Sequence, residues 1–213
     1  MMKKVIAVVV AVAVGISTFV FPGYANENKD EYEYTVYADK TPDYKPGDPL
    51  IEVAKINEWN EAGEYGDYPT RSGAILVTED AFAYGIVGHA AIVYNTDKLL
   101  HATADGIVVS QNNWKTARVR GVAAMAVRDT TYSQDVLVSE WCYKQMGKPY
   151  NYNFFNKDSR DKFYCSQLVY AGYLENTGVD LDTSANTYKA IAPYELITSP
   201  ETYLIYVYNW SKN

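Results

Sequence analysis

The chain has two cysteines, Cys142 and Cys165, and two histidines, His89 and His101. Thiol and imidazole together suit nucleophilic catalysis: the ring takes the thiol proton, and a third polar group holds the ring in place. Cys165 opens "CSQLVYAGYLENTG", which reads as a helix running to about Asn176 and stopped by Gly178. A helix N-terminus and a neighbouring imidazole both favour the thiolate. Three readings of Cys165 are open: a small buried hydrophobe, half of a disulfide with Cys142, or a nucleophile. Cys142 lies mid-helix with Val138 and Met146 in "SQDVLVSEWCYKQMG", where a buried apolar cysteine fits.

Both histidines fall in predicted strands, "VGHAAIVYN" (87–95) and "KLLHAT" (98–103). Sharing a face requires an odd hairpin loop. The three-residue loop Asn95-Thr96-Asp97, with Tyr94 opposite Lys98, meets that condition. His101 then lies opposite Ala91 and diagonal to His89, close enough for the rings to interact. A two- or four-residue loop would separate them. In a catalytic reading His89, on the longer strand, is the base and His101 orients it. The pair could also be inert sheet residues or metal ligands, although His-x-x-x-His spacing is absent and Asp105 is the nearest acidic candidate.

The elements that must position these residues follow from pattern. "AILVT" (74–78), "GIVVSQ" (106–111), "GVAAMAVRD" (121–129) and "TYLIYVYNW" (202–210) join the two histidine strands as short strands with short turns, which predicts an antiparallel sheet. Leu137 and Trp141, and Val138, Cys142 and Met146, recur every four residues, predicting a helix over 133–147 with Ser133 as N-cap and Gly147 as stop. The fold class is α+β with a segregated sheet. Before it, "PLIEVAKINEWNEAG" reads as a short helix within a Tyr-rich, acidic extension over 26–70, and the catalytic domain spans 71–213.

Lys3 and Lys4, the apolar run Val5 to Phe21, and small residues Gly23 and Ala25 predict a signal peptide over 1–25, cleaved after Ala25. Its loss would take the formal net charge from −7 to −9. An acidic chain repels phosphate backbones, so nucleic acid is not expected as a partner. Nor is a membrane after cleavage, because no second apolar run of membrane length follows. Tyrosine is abundant, at 21 residues, and serves strand packing first and carbohydrate or peptide contact second. No phosphate loop, cofactor fingerprint or metal cluster is legible, so no cofactor is expected.

"MGKPYNYNFFNKDSRDKFYCSQLVYAGY" resembles the cysteine motif of NlpC-type papain-like hydrolases: Gly147, Pro149 and Tyr150, a loop, then Cys165, Ser166, Leu168 and Val169. Ordinary members carry their histidine after the cysteine. Here both histidines precede it, as in the circularly permuted, YiiX-like branch that also includes lecithin:retinol acyltransferase relatives. "SGAIL", "VGHAAIVY", "LLHATADG" and "FYCSQLVYAGY" follow that order over roughly residues 72–200. Two positions depart from the pattern: Ala74 replaces an aspartate, and His101 stands where glutamate is common. The resemblance implies a permuted papain-like (NlpC-type) fold with the cysteine at a helix N-terminus. It implies Cys165 as nucleophile, His89 as base, His101 as the third polar residue, and Tyr150 with the Cys165 amide at the oxyanion. It leaves Cys142 buried. The implied activity is that of a secreted thiol hydrolase cleaving amides, with cell-wall peptides as substrate. The alternatives are a lipid or thioester acyltransferase or thioesterase on the same site, and a non-catalytic binding module.

Overall fold

A computed structural model describes residues 64–80, 88–117, 120–182 and 190–210. The predicted signal peptide, the short helix read in 49–63 and most of the extension lie outside these residues.

Among the described residues seven strands form one antiparallel sheet: β1 (Glu64–Tyr65), β2 (Ile75–Thr78), β3 (His89–Asn95), β4 (Lys98–Thr103), β5 (Gly106–Gln111), β6 (Val122–Val127) and β7 (Thr202–Tyr208). Their spatial order is β1-β7-β6-β2-β3-β4-β5. The helices are α1 (Trp114–Ala117), α2 (Tyr132–Tyr143), α3 (Cys165–Thr177) and α4 (Glu195–Thr198). This is the expected α+β arrangement.

All four residues of β2 are buried because the sheet is covered on both faces. Ile75, Val77, Ile92, Leu100 and Met125 share a cluster with Val138 of α2 and Leu168 and Val169 of α3. Leu76, Ala91, Val93 and Leu99 point the other way, onto Trp114 and Tyr206. A strand covered on both sides reads as a continuous apolar run rather than an alternation.

The β3–β4 hairpin has the expected interior register but not the expected loop. Ile92 pairs with Leu100 and Val93 with Leu99, the register in which His101 would stand opposite Ala91, but the pairing itself stops at Ile92 and Leu100. At the tip, however, Asn95 pairs with Lys98, leaving a two-residue loop, and a bulge between Val93 and Asn95 absorbs the extra residue. One inserted residue restores the parity that a two-residue loop alone would break.

Helix α2 starts earlier and ends sooner than its periodicity suggested. Thr131, not Ser133, is the N-cap: its hydroxyl accepts from Gln134 N, and Gln134 Oε1 accepts from Thr131 N. Ser133 has Val136 three residues on and cannot form that reciprocal pair. After Tyr143 the chain tightens, with Gln145 N bonding Cys142 O and Met146 N bonding Tyr143 O. Met146 therefore leaves the packed face and is exposed, while Val138 and Cys142 stay in the core. Gly172 of α3 faces Cys142 so closely that a Cβ there would lie 2.8 Å from its sulfur. Helix α3 ends as predicted at Gly178, in the left-handed conformation.

Candidate active site

Cys165 is the first residue of α3 and is buried at 2% exposure. Three devices fix this helix start. The carboxamide of Gln167 accepts from Tyr164 N (3.1 Å) and from the buried Asn151 side chain (2.9 Å). Its NH2 group donates to the carbonyls of Asn156, Lys157 and Ser159. One buried amide thus anchors the whole loop from 151 to 160 against the helix. On the other side, Ser166 Oγ donates to Ile191 O at 2.7 Å, and Ile191 N donates to Tyr164 Oη at 3.0 Å.

Tyr150 is placed by the "GKPY" turn. Gly147 N bonds Ile107 O, and Ile107 N bonds Lys148 O. Gly106, at φ +99°, permits that approach, since a Cβ there would lie 2.6 Å from Lys148 O. Tyr150 then bridges to Phe163, two residues before the cysteine. Burial raises its phenol well above the ordinary value, and the nearby Cys165 sulfur adds to that, so Tyr150 keeps its proton and remains a donor.

The sulfur lies against β3. Val93 N bonds Ala74 O, so the odd residues of β3 bond toward β2 and the even ones face β4. Pairing with β4 ends at Ile92 and Leu100. Ala90, beyond that point, shares a core cluster with Cys165, and its N–H favours the Cys165 thiolate. Cys165 therefore lies near the end of β3 that has parted from β4. Burial pushes the Cys165 thiol up. The amides of Ala90, Ser166 and Cys165 and the Ser166 hydroxyl pull it back without cancelling the rise.

His89 and His101 are both buried, and His89 Nε2 lies 2.8 Å from His101 Nδ1. A side-chain hydrogen bond thus spans the strands just past the end of their backbone ladder. The expected proximity of the rings is present, at 5.1 Å between centroids. Both cysteines are free thiols. Cys142 Sγ contacts Leu168 O at 3.7 Å, and burial alone drives its thiol far above the ordinary value. It is the inert, buried cysteine.

Sequence reasoning passed over three contributors. Gln167 is the variable position of the cysteine motif. Ala90 acts through its backbone. Trp114 packs against both histidines, with centroids 5.5 Å from His89 and 5.9 Å from His101. Only the first had a local signal: glutamine three residues after a helix boundary.

Residues 73–206 match the family model described as "Permuted papain-like amidase enzyme, YaeF/YiiX, C92 family". The chain belongs to this family. Two relatives of this chain come from bacilli. The uncharacterized protein YycO of Bacillus subtilis (strain 168) is 24% identical over 171 residues, spanning 78% of this chain and 68% of YycO. An uncharacterized 30.3 kDa protein of Bacillus thuringiensis is 26% identical over 167 residues, spanning 70% of this chain and 60% of its own length. The crystal structure of metalloprotein YiiX from Escherichia coli O157:H7 shares the fold. It has a TM-score of 0.52 at 15% identity, covering 67% of this chain and 99% of that one.

Proposed function

We propose that this permuted papain-like amidase is exported and hydrolyses amide bonds in cell-wall peptides through an acyl-enzyme on Cys165. One observation carries the reading. A thiol at a helix start shares a buried cluster with Ala90, the residue after His89 on β3, and the His89 ring is tied through Nε2 to a second imidazole.

The chemistry follows from those positions. In this step Nδ1 of His89, the first residue of β3, reaches the thiol past the open end of the strand and takes the proton of Cys165 as Sγ bonds to the amide carbon. Before that transfer the neutral His89 ring carries its hydrogen on Nε2 and donates a hydrogen bond to His101 Nδ1, which fixes tautomer and orientation. The carbonyl oxygen becomes an oxyanion, met by the Cys165 amide at the N-terminus of α3 and by the Tyr150 hydroxyl. His89 returns the proton to the amine as the C–N bond breaks. Water then attacks the thioester, giving its proton to His89. A carboxylic acid leaves and the thiol is restored. Because burial holds the thiol high, base assistance from His89 is what makes it nucleophilic at neutral pH.

YiiX is described as a metalloprotein. Here the donors do not fit a metal. Among the described residues no three His, Cys, Asp or Glu side chains are grouped to hold one, and the two imidazoles spend a nitrogen each on one another. No step runs through a metal.

The basic, apolar, small-residue start of the chain supports export, and the family's amide chemistry supports a peptide substrate. The test uses purified bacterial cell walls with the secreted chain and its Cys165→Ala variant. Release of stem-peptide fragments by the first alone is the expected result. Turnover of thioester or lipid acyl donors with no fragment release would replace the amidase with an acyltransferase. Thiol labelling without turnover of any panel would leave a binding module.

A further inference from the structure

We propose that Trp114 is a positioning residue for the histidine pair: it roofs the His89–His101 hydrogen bond and favours the imidazolium that His89 becomes. The inference deepens the reading above and rests on it for its catalytic consequence, though not for its structural one. Trp114 opens the four-residue α1, on the sheet face opposite α2 and α3, and is 2% exposed. Its ring lies over His89 at 5.5 Å with a 30° tilt, a face-on approach within cation–π range. Against His101 it stands edge-on, 5.9 Å away at 88°. One indole thus contacts both ends of a single hydrogen bond.

The support beneath it is built from two directions. Tyr68 Oη accepts from Trp114 N at 2.9 Å, and the Tyr68 ring packs edge-on against Tyr206 of β7. Asn112 donates to Pro69 O and Thr96 O, tying the turn before α1 to the β3–β4 loop. A tryptophan placed only to fill volume needs neither a face-on imidazole nor a hydrogen-bonded backbone. With the indole gone, water reaches the imidazole pair, and the ring that must take the thiol proton loses its fixed orientation.

The test compares Trp114→Phe, which keeps an aromatic face, with Trp114→Leu, which keeps apolar volume only. Circular dichroism and melting first confirm that each folds. The first readout is the shared ring N–H of His89 and His101 in 15N-histidine-labelled full chain, recorded in a Cys165→Ala background. A downfield, slowly exchanging resonance is expected in the parent and in Trp114→Phe, and its loss to solvent exchange in Trp114→Leu. The second is the rate of Cys165 alkylation by iodoacetamide, expected to fall about 10²-fold in Trp114→Leu and far less in Trp114→Phe. Leu and Phe variants that behave alike in both readouts would overturn the proposal. A histidine signal that responds while the parent chain resists alkylation would overturn the catalytic reading and keep the positioning one.

Discussion

At the scale of single residues, the site separates two thiols by surroundings rather than by burial. Both are buried, yet only Cys165 stands at a helix start, with strand and helix amides that favour its thiolate. Cys142 has one carbonyl contact and nothing to stabilise a charge. Peptide mapping after iodoacetamide treatment should therefore place the label on Cys165 and leave Cys142 untouched. Tyr150 makes a second prediction at this scale. If its hydroxyl donates only to the oxyanion, Tyr150→Phe should lower kcat by about 10²-fold with little change in KM. A raised KM at constant kcat would instead make it a substrate contact.

At the scale of elements, the position of Cys165 depends on how α3 is seated. Gln167 supplies both the capping of the helix start and the anchor of the 151–160 loop. Gln167→Ala strands several buried donors and acceptors and should cost about 2–3 kcal/mol in urea unfolding. A change under half that would show that the loop holds without it. The contact between α2 and α3 is just as close. A methyl on Gly172 would press on Cys142 Sγ at 2.8 Å and Val138 Cγ1 at 3.1 Å. Gly172→Ala should destabilise by about 1–3 kcal/mol. Adding Cys142→Ala should recover part of that loss, so the double mutant is less destabilised than the sum of its parts. Strict additivity would mean the two positions do not press on each other.

At the scale of the whole molecule, one buried carboxyl ties together segments distant in the chain. Asp135, in the first turn of α2, accepts from Arg71 at 2.7 Å and Thr130 at 2.8 Å, and from the Tyr173 hydroxyl of α3 at 3.4 Å. Burial nonetheless raises its pKa from the ordinary value. An acid raised on folding binds its proton more tightly in the native chain than in the unfolded one. Its contribution to stability therefore falls as pH climbs from about 3.9 through the native value. Unfolding free energies of the protein and Asp135→Asn, compared across that window, should show the wild type losing ground to the variant as pH rises. A gain with rising pH would mean that Arg71 outweighs burial. The same scale explains what was legible in the sequence. Strands β2 to β7 announce themselves as β-branched and apolar runs, and the His–His face follows from parity. The bulge at Tyr94 does not, because a two-residue loop with a bulge and a three-residue loop give the same interior register. Helices α1 and α4 are four residues each, too short to show a period. The place of Trp114 over the histidines arises where β3, β4 and the turn after β5 meet, a non-local contact that no local pattern encodes.

The central claim is that His89 activates Cys165, and the rate of Cys165 alkylation against pH tests it most directly. The account predicts rapid labelling near neutral pH, below the range that burial would impose on an unassisted thiol, and a loss of about 10²-fold or more in His89→Ala. Labelling that rises only at alkaline pH and is identical in the two proteins would contradict it.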